Sequence, residues 1–171
     1  EIKVYENTRV TEFKEGYVAT KNGRIYAKKI IVATHFPLLN KHGGYFIKLY
    51  QHRSYVIALE NAENVDGMYV DEKESGLSFR SASNLLLLGG YGGRTGKKCG
   101  NWNELEKFKN RYYPESKIKY KWATQDCMSL DRIPYIGKYS KNTPNLYVAT
   151  GFNKWGMTSS MVSAMILSDL V

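Results

Sequence analysis

Two short apolar runs, Ile30-Ile31-Val32-Ala33-Thr34 near one end and Leu146-Tyr147-Val148-Ala149-Thr150 near the other, narrow the folds open to this chain. A continuous apolar run of four to eight residues reads as a strand covered on both faces, as in the middle of a layered α/β domain. The second run meets Gly151, which starts a turn, and then a largely apolar helix over residues 157–171. The segments between have a different character. Tyr45 to Leu59, the short runs at 67–70 and 77–81, and Leu85 to Leu88 read as a mostly antiparallel sheet. Asn101 to Tyr113 carries Trp102, Leu105, Phe108 and Tyr112 at helical spacing and is closed by Pro114; Ile118 to Ala123 alternates like a strand. Upstream, Glu1 to Tyr5 also alternates, and the arms Gly16 to Thr20 and Arg24 to Thr34 flank Asn22-Gly23, a strong hairpin signal. The two ends are therefore expected to share one layered domain, interrupted by a long insertion.

A chain of 171 residues with 14 tyrosines can bury a sizeable core, and no run of 18 apolar residues offers a membrane span. The net charge of +9 is concentrated: residues 94–121 hold nine bases and three acids, six of the nine excess charges. Such a cluster can bind an acidic polymer or protein, or it can be a solvated basic face. Cys99 and Cys127 lack partners at metal-ligand spacing, and His35, His42 and His52 form no zinc pattern, so a reducing compartment, the cytoplasm, is expected. The glycine-rich stretch from Gly89 to Lys97 fails as a phosphate loop, with Tyr91 where glycine is needed and Lys98 where Ser or Thr is needed. It also fails as a dinucleotide fingerprint, because Thr95 stands at the third glycine, and a bulged loop after a strand is expected there.

The segment Gly151-Phe152-Asn153-Lys154-Trp155-Gly156-Met157-Thr158 delivers a strand into a helix through a glycine-bounded turn. Amides at a helix start, with the helix dipole, favour a negatively charged partner; an ordinary strand-turn-helix connection would look the same. Upstream, Asp131-Arg132-Ile133-Pro134-Tyr135-Ile136-Gly137 sets a turn before a short apolar piece.

In this order, the run ending in Ala33-Thr34-His35, the Asp131 to Gly137 element and the turn from Asn145 to Thr158 resemble the glycine/D-amino-acid oxidase (DAO) family of FAD-dependent oxidoreductases. Trp122 to Met128, Lys154 to Thr158, and Leu88-Gly89-Gly90 followed by Arg94-Thr95-Gly96 resemble its branch that often carries a C-terminal Rieske domain. The resemblance implies an α+β fold, an antiparallel substrate-type sheet inserted into an incomplete layered α/β FAD-binding domain. Residues 1–39 and 126–171 would belong to the FAD-binding part and 40–125 to the substrate sheet.

The implied activity is oxidation of an amine or amino-acid C–N bond by hydride transfer to flavin. The implied cofactor-binding residues are Thr34, His35, Ile136, Gly137, Gly151, Lys154, Trp155, Gly156, Met157 and Thr158, with Arg53 and Arg80 as residues for an anionic substrate group. A [2Fe–2S] cluster would lie outside this chain, since a Rieske centre needs Cys and His pairs and none follow Cys127. Two departures stand out: Tyr91 and Gly93 replace an acidic residue and a histidine of that branch, and Thr158 stands where some amine oxidases hold a carboxylate with lysine. The family's N-terminal Gly-x-Gly-x-x-Gly unit is not in the sequence, and the chain opens on Glu1. A fragment of the flavin domain is therefore expected, binding FAD weakly or not at all by itself, its partners the FAD-binding segment, a Rieske domain and a small amine. The rival expectation is a non-enzymatic basic module acting through residues 94–121; neither a membrane nor nucleic acid is expected as partner.

Overall fold

The structure, a computed structural model, describes residues 2–38, 43–98 and 100–171, so His42 and Cys99 lie outside the described residues. In chain order the elements are β1 (Val10–Lys14), β2 (Tyr17–Thr20), β3 (Gly23–Tyr26), β4 (Ile30–Val32), α1 (Tyr45–Lys48), β5 (Leu49–Glu60), β6 (Met68–Val70), β7 (Ser78–Ala82), β8 (Leu85–Arg94), α2 (Trp102–Tyr112), β9 (Lys117–Ser129), β10 (Tyr135–Lys138), β11 (Leu146–Thr150) and α3 (Gly156–Leu170). They form two compact units, one from Glu1–Leu49 with Cys127–Val171, the other from Tyr50–Asp126. The fold is mixed α+β and mostly sheet.

In the discontinuous unit, β4 and β11 lie side by side and parallel, with Ile30, Ile31 and Val32 opposite Leu146, Tyr147 and Val148. Strand β10 pairs antiparallel on the other side of β11. The central strand is covered on both faces, which is why its run is apolar without alternation. Tyr147 and Ala149 pack with Leu167 of α3, while Val148 packs with Val32, Tyr45, Leu49, Cys127 and Tyr139. Strand β4 is covered less fully than expected: Val32 is 1% exposed but Ile31 is 46% exposed, because β4 is the edge of this sheet. Burying one such aliphatic side chain contributes about 1.5–3 kcal/mol.

The separate β1-β2-β3 sheet is a meander. Its β2–β3 hairpin closes over Lys21-Asn22, with Gly23 already paired to Thr20. The expected single arm Arg24 to Thr34 is in fact two strands in different sheets: the Ala27 amide still donates to Gly16 O, extending the β2–β3 ladder, and Ile30 then pairs with β11. Residues 2–5, expected to be a strand, lie outside regular structure, and Ile2 and Val4 are exposed.

The continuous unit is a five-stranded antiparallel sheet in the order β6-β7-β8-β5-β9. Helix α2 covers one face, on which Tyr55, Ile57, Leu59, Leu86, Leu88 and Leu105 form the core. Asn101 caps α2 by accepting from the Asn103 amide at 2.8 Å. Strand β8 runs through the glycine-rich stretch that was expected to be a loop. The glycines there admit a close neighbour: a Cβ on Gly92 would stand 2.5 Å from the Arg53 carbonyl oxygen. Between the Arg53–Gly93 and Tyr55–Gly90 pairs β8 carries one extra residue, so the stretch is bulged as expected, though within a strand.

Candidate cofactor site

Because β4 and β11 are parallel, they end on the same side, and the loops that follow them meet there. Thr34 and His35 leave β4; Gly151 to Trp155 leave β11. The buried Thr150 hydroxyl donates to the His35 carbonyl and ties the loops together. His35 adopts the left-handed conformation (φ 65°), and the Thr34 hydroxyl donates to Phe36 O at 2.9 Å, so the loop turns sharply away from the sheet. On the other side Gly151 is also left-handed (φ 72°), and a Cβ there would meet Leu49 Cδ2 at 3.1 Å and Ser129 Cβ at 3.3 Å. Glycine is needed for both reasons.

Asn153 (φ 54°) follows. Its Oδ1 accepts from the Ser129 amide at 3.1 Å, and its Nδ2 donates to Arg132 O at 3.2 Å and Gly151 O at 3.1 Å. Its backbone amide donates to Cys127 O at 3.0 Å. The neighbouring Asp131 turn is held by the same means, since its carboxylate accepts from the Ile133 amide and the Tyr135 hydroxyl, both at 3.1 Å. The Ile133 amide first, then the Tyr135 hydroxyl, hold that carboxyl below the usual range, although burial opposes them. In the core of the discontinuous unit, against Tyr45, Tyr139 is 2% exposed and its phenol is pushed up to about 12, chiefly by burial and further by Tyr45.

Helix α3 starts at Gly156 with no side-chain cap, and its first intrahelical bond runs from the Ser159 amide to Trp155 O. The amides of Gly156, Met157 and Thr158 therefore have no acceptor within the helix. Lys154, Trp155, Met157 and Thr158 are exposed, and around Gly156 no atom lies within 4 Å of where a Cβ would stand. The site thus presents an open backbone approach, uncapped donors and one cation, a set that suits a flat, anionic group.

The chain matches the model of the DAO family, FAD dependent oxidoreductase, over residues 1–170. It belongs to that family. YhfW of Bacillus subtilis (strain 168), whose name describes a Rieske 2Fe-2S iron-sulfur protein, is 36% identical over 181 residues, covering 99% of this chain and 36% of YhfW. Glycine oxidase from Geobacillus kaustophilus superposes with a TM-score of 0.76 at 18% identity, over 97% of this chain and 48% of that one. L-proline dehydrogenase from P. horikoshii gives 0.74 at 20% identity, over 96% and 50%. The two solved enzymes share this chain's fold, and the chain spans between a third and a half of the length of these three proteins.

Within the DAO fold, Thr34, His35, Gly151, Lys154, Trp155, Gly156, Met157 and Thr158 all lie on the two loops that leave the parallel pair or on the helix start that follows. Ile136 and Gly137 lie elsewhere. Ile136 packs beneath α3 with Tyr147, Ala149 and Leu167, and Gly137 (φ 136°) faces Leu170, at the far end of the helix from Gly156. Arg53 and Arg80 belong to the other unit, on β5 and β7, with β8 between those strands. Arg80 borders a shallow cavity of about 230 Å³ with Met68, Val70, Leu87 and Trp122.

The basic region is largely committed. Lys107, Lys119 and Lys121 pair with Glu104, Glu60 and Glu106, and buried Lys109 donates to Pro114 O. Arg94 and Arg111 lie over the rings of Tyr50 and Tyr112. Among the described residues no cluster of His, Cys, Asp or Glu suits a metal, and no helix is long and apolar enough to cross a membrane. Sequence reasoning passed over Asn153 and Ser129. An asparagine two places after Gly151 was a legible signal, since it tolerates left-handed backbone, whereas nothing marked Ser129.

Proposed function

We propose that this chain contributes to a flavoenzyme that oxidises the C–N bond of an amine or amino acid, with residues 34–35 and 150–158 facing the isoalloxazine of FAD. The observation that carries this reading is the shared end of β4 and β11, outside whose carboxyl termini both loops and the start of α3 converge. The crevice outside the carboxyl ends of parallel strands is where open α/β sheets take their ligands. FAD, when bound, supplies the hydride acceptor. The chain's own residues orient and polarise. Gly156 lets backbone approach the ring, the uncapped amides of α3 favour negative charge at its pyrimidine edge, and the Lys154 ammonium adds a cation to the same turn. The Thr150–His35 bond holds the two loops at one spacing. Arg53 and Arg80 are our residues for an anionic group of the substrate, and residues 40–125 our substrate sheet. Buried, free Cys127 fits a reducing compartment, the cytoplasm.

Hydrogen exchange followed by mass spectrometry tests this. FAD should slow exchange in the peptides covering 30–37 and 150–160 of the holoprotein. Protection confined to other segments would sink the reading. A polyanion module would instead show affinity that falls steeply with salt.

A further inference from the structure

We infer that Asn153 is a positioning residue for the cofactor-facing turn, an inference that rests on the reading just given. Residues 151–158 carry the groups assigned to the ring, yet α3 has no side chain capping its start. Beside the backbone bond from the Asn153 amide to Cys127 O and the Met128–Phe152 bridge, the Asn153 carboxamide anchors the turn. It ties residue 153 to the 129–132 turn through the Ser129 amide and Arg132 O, and it closes back on Gly151 O. The Ser129 hydroxyl lies 3.3 Å from Nδ2 and 3.4 Å from Oδ1. The orientation of the carboxamide is settled by its partners: a backbone amide only donates, so it faces Oδ1, and two carbonyls only accept, so they face Nδ2. The left-handed backbone at Asn153 lets the side chain reach all of them, and Lys154 and the start of α3 follow directly.

Two substitutions separate the clamp from the backbone conformation. Asn153→Gly keeps the left-handed geometry and removes the carboxamide. Asn153→Asp keeps the shape but sets a carboxylate oxygen against Arg132 O and Gly151 O. With the net worth of a few hydrogen bonds lost, FAD should dissociate about tenfold more readily from Asn153→Gly and more readily still from Asn153→Asp. Exchange in the 151–158 peptide should rise, and the flavin midpoint potential should move. Faster exchange with unchanged FAD affinity and potential would overturn the proposal, because Asn153 would then hold the fold and nothing more. If FAD protects 151–158 in the parent protein and both variants match it in every readout, the clamp alone is refuted. If FAD leaves 151–158 unprotected in the parent protein, the site reading fails and the clamp's role falls with it.

Discussion

The hydroxyl of Thr150 donates to the backbone carbonyl of His35, 115 positions away in the chain. That contact links the two loops of the candidate site beyond the last β4–β11 pair, Val32 with Val148, and Thr150 is 2% exposed. Thr150→Val keeps the branched shape and deletes the hydroxyl that donates to the His35 carbonyl. We expect a loss of about 0.5–1.5 kcal/mol in urea unfolding. A variant as stable as the parent would show that the bond contributes nothing net.

The two glycines of the turn should respond in opposite ways. Gly151→Ala must adopt a left-handed conformation, costing about 1–2 kcal/mol before the contacts with Leu49 and Ser129 are counted. Gly156→Ala meets open space in the first turn of α3, where alanine favours the helix by up to about 1 kcal/mol. Its thermal midpoint should hold or rise while its FAD affinity falls, if backbone must approach the ring there. Unchanged FAD affinity would remove Gly156 from the site.

Lys154→Met tests the charge on the same turn. An ammonium near the ring stabilises the negative charge gained on reduction, so its removal should lower the midpoint potential by roughly 30 mV, equivalent to about 1.4 kcal/mol for a two-electron couple. Spectroelectrochemical titration of both proteins decides this. An unshifted midpoint excludes Lys154 while leaving the backbone donors in place.

Alkali should act through the Tyr45–Tyr139 pair. Burial raises both phenols, Tyr139 to about 12, and the Tyr45 hydroxyl donates to Tyr139 O at 3.0 Å. A folded value above the unfolded value near 10 means stability that is complete below about pH 10 and is lost as pH rises toward 12. Absorbance at 295 nm should show the exposed tyrosines ionising first and a late fraction appearing only with unfolding. Tyr139→Phe should shrink that late step to the part due to Tyr45, and a titration with no late fraction would contradict the burial argument.

What could be read from the residues alone was whatever repeats along the chain. Helix α2 was legible in the spacing of Trp102, Leu105 and Phe108, and β11 in its unbroken apolar run, because both patterns record which faces are covered. The break between β3 and β4 left no such trace: Ile25-Tyr26 and Ile30-Ile31 both favour strands, and the pairing of β4 with β11 that separates them is tertiary. Helix α1 was hidden for the same reason, since Tyr45, Phe46 and Ile47 all favour strands. The glycine-rich stretch misled by composition, because glycines that suggest a loop serve in β8 to admit the Arg53 backbone. In the site, the glycines and the lysine were visible as a motif. The Asn153–Ser129 contact spans 24 residues and follows no period.

The discontinuous unit also sets a timetable. Strand β4 leaves the ribosome early, but its parallel neighbour β11 and the Thr150 bond to His35 come some 115 residues later. At about 5–20 residues per second this delay is roughly 6–23 s, during which the β4 edge has no partner from β11. Residues 50–126 find their sheet partners within that one stretch and can fold in that interval. Synthesis from the N-terminus would therefore complete residues 50–126 before β11 can pair with β4, so that the cofactor turn forms after the continuous unit.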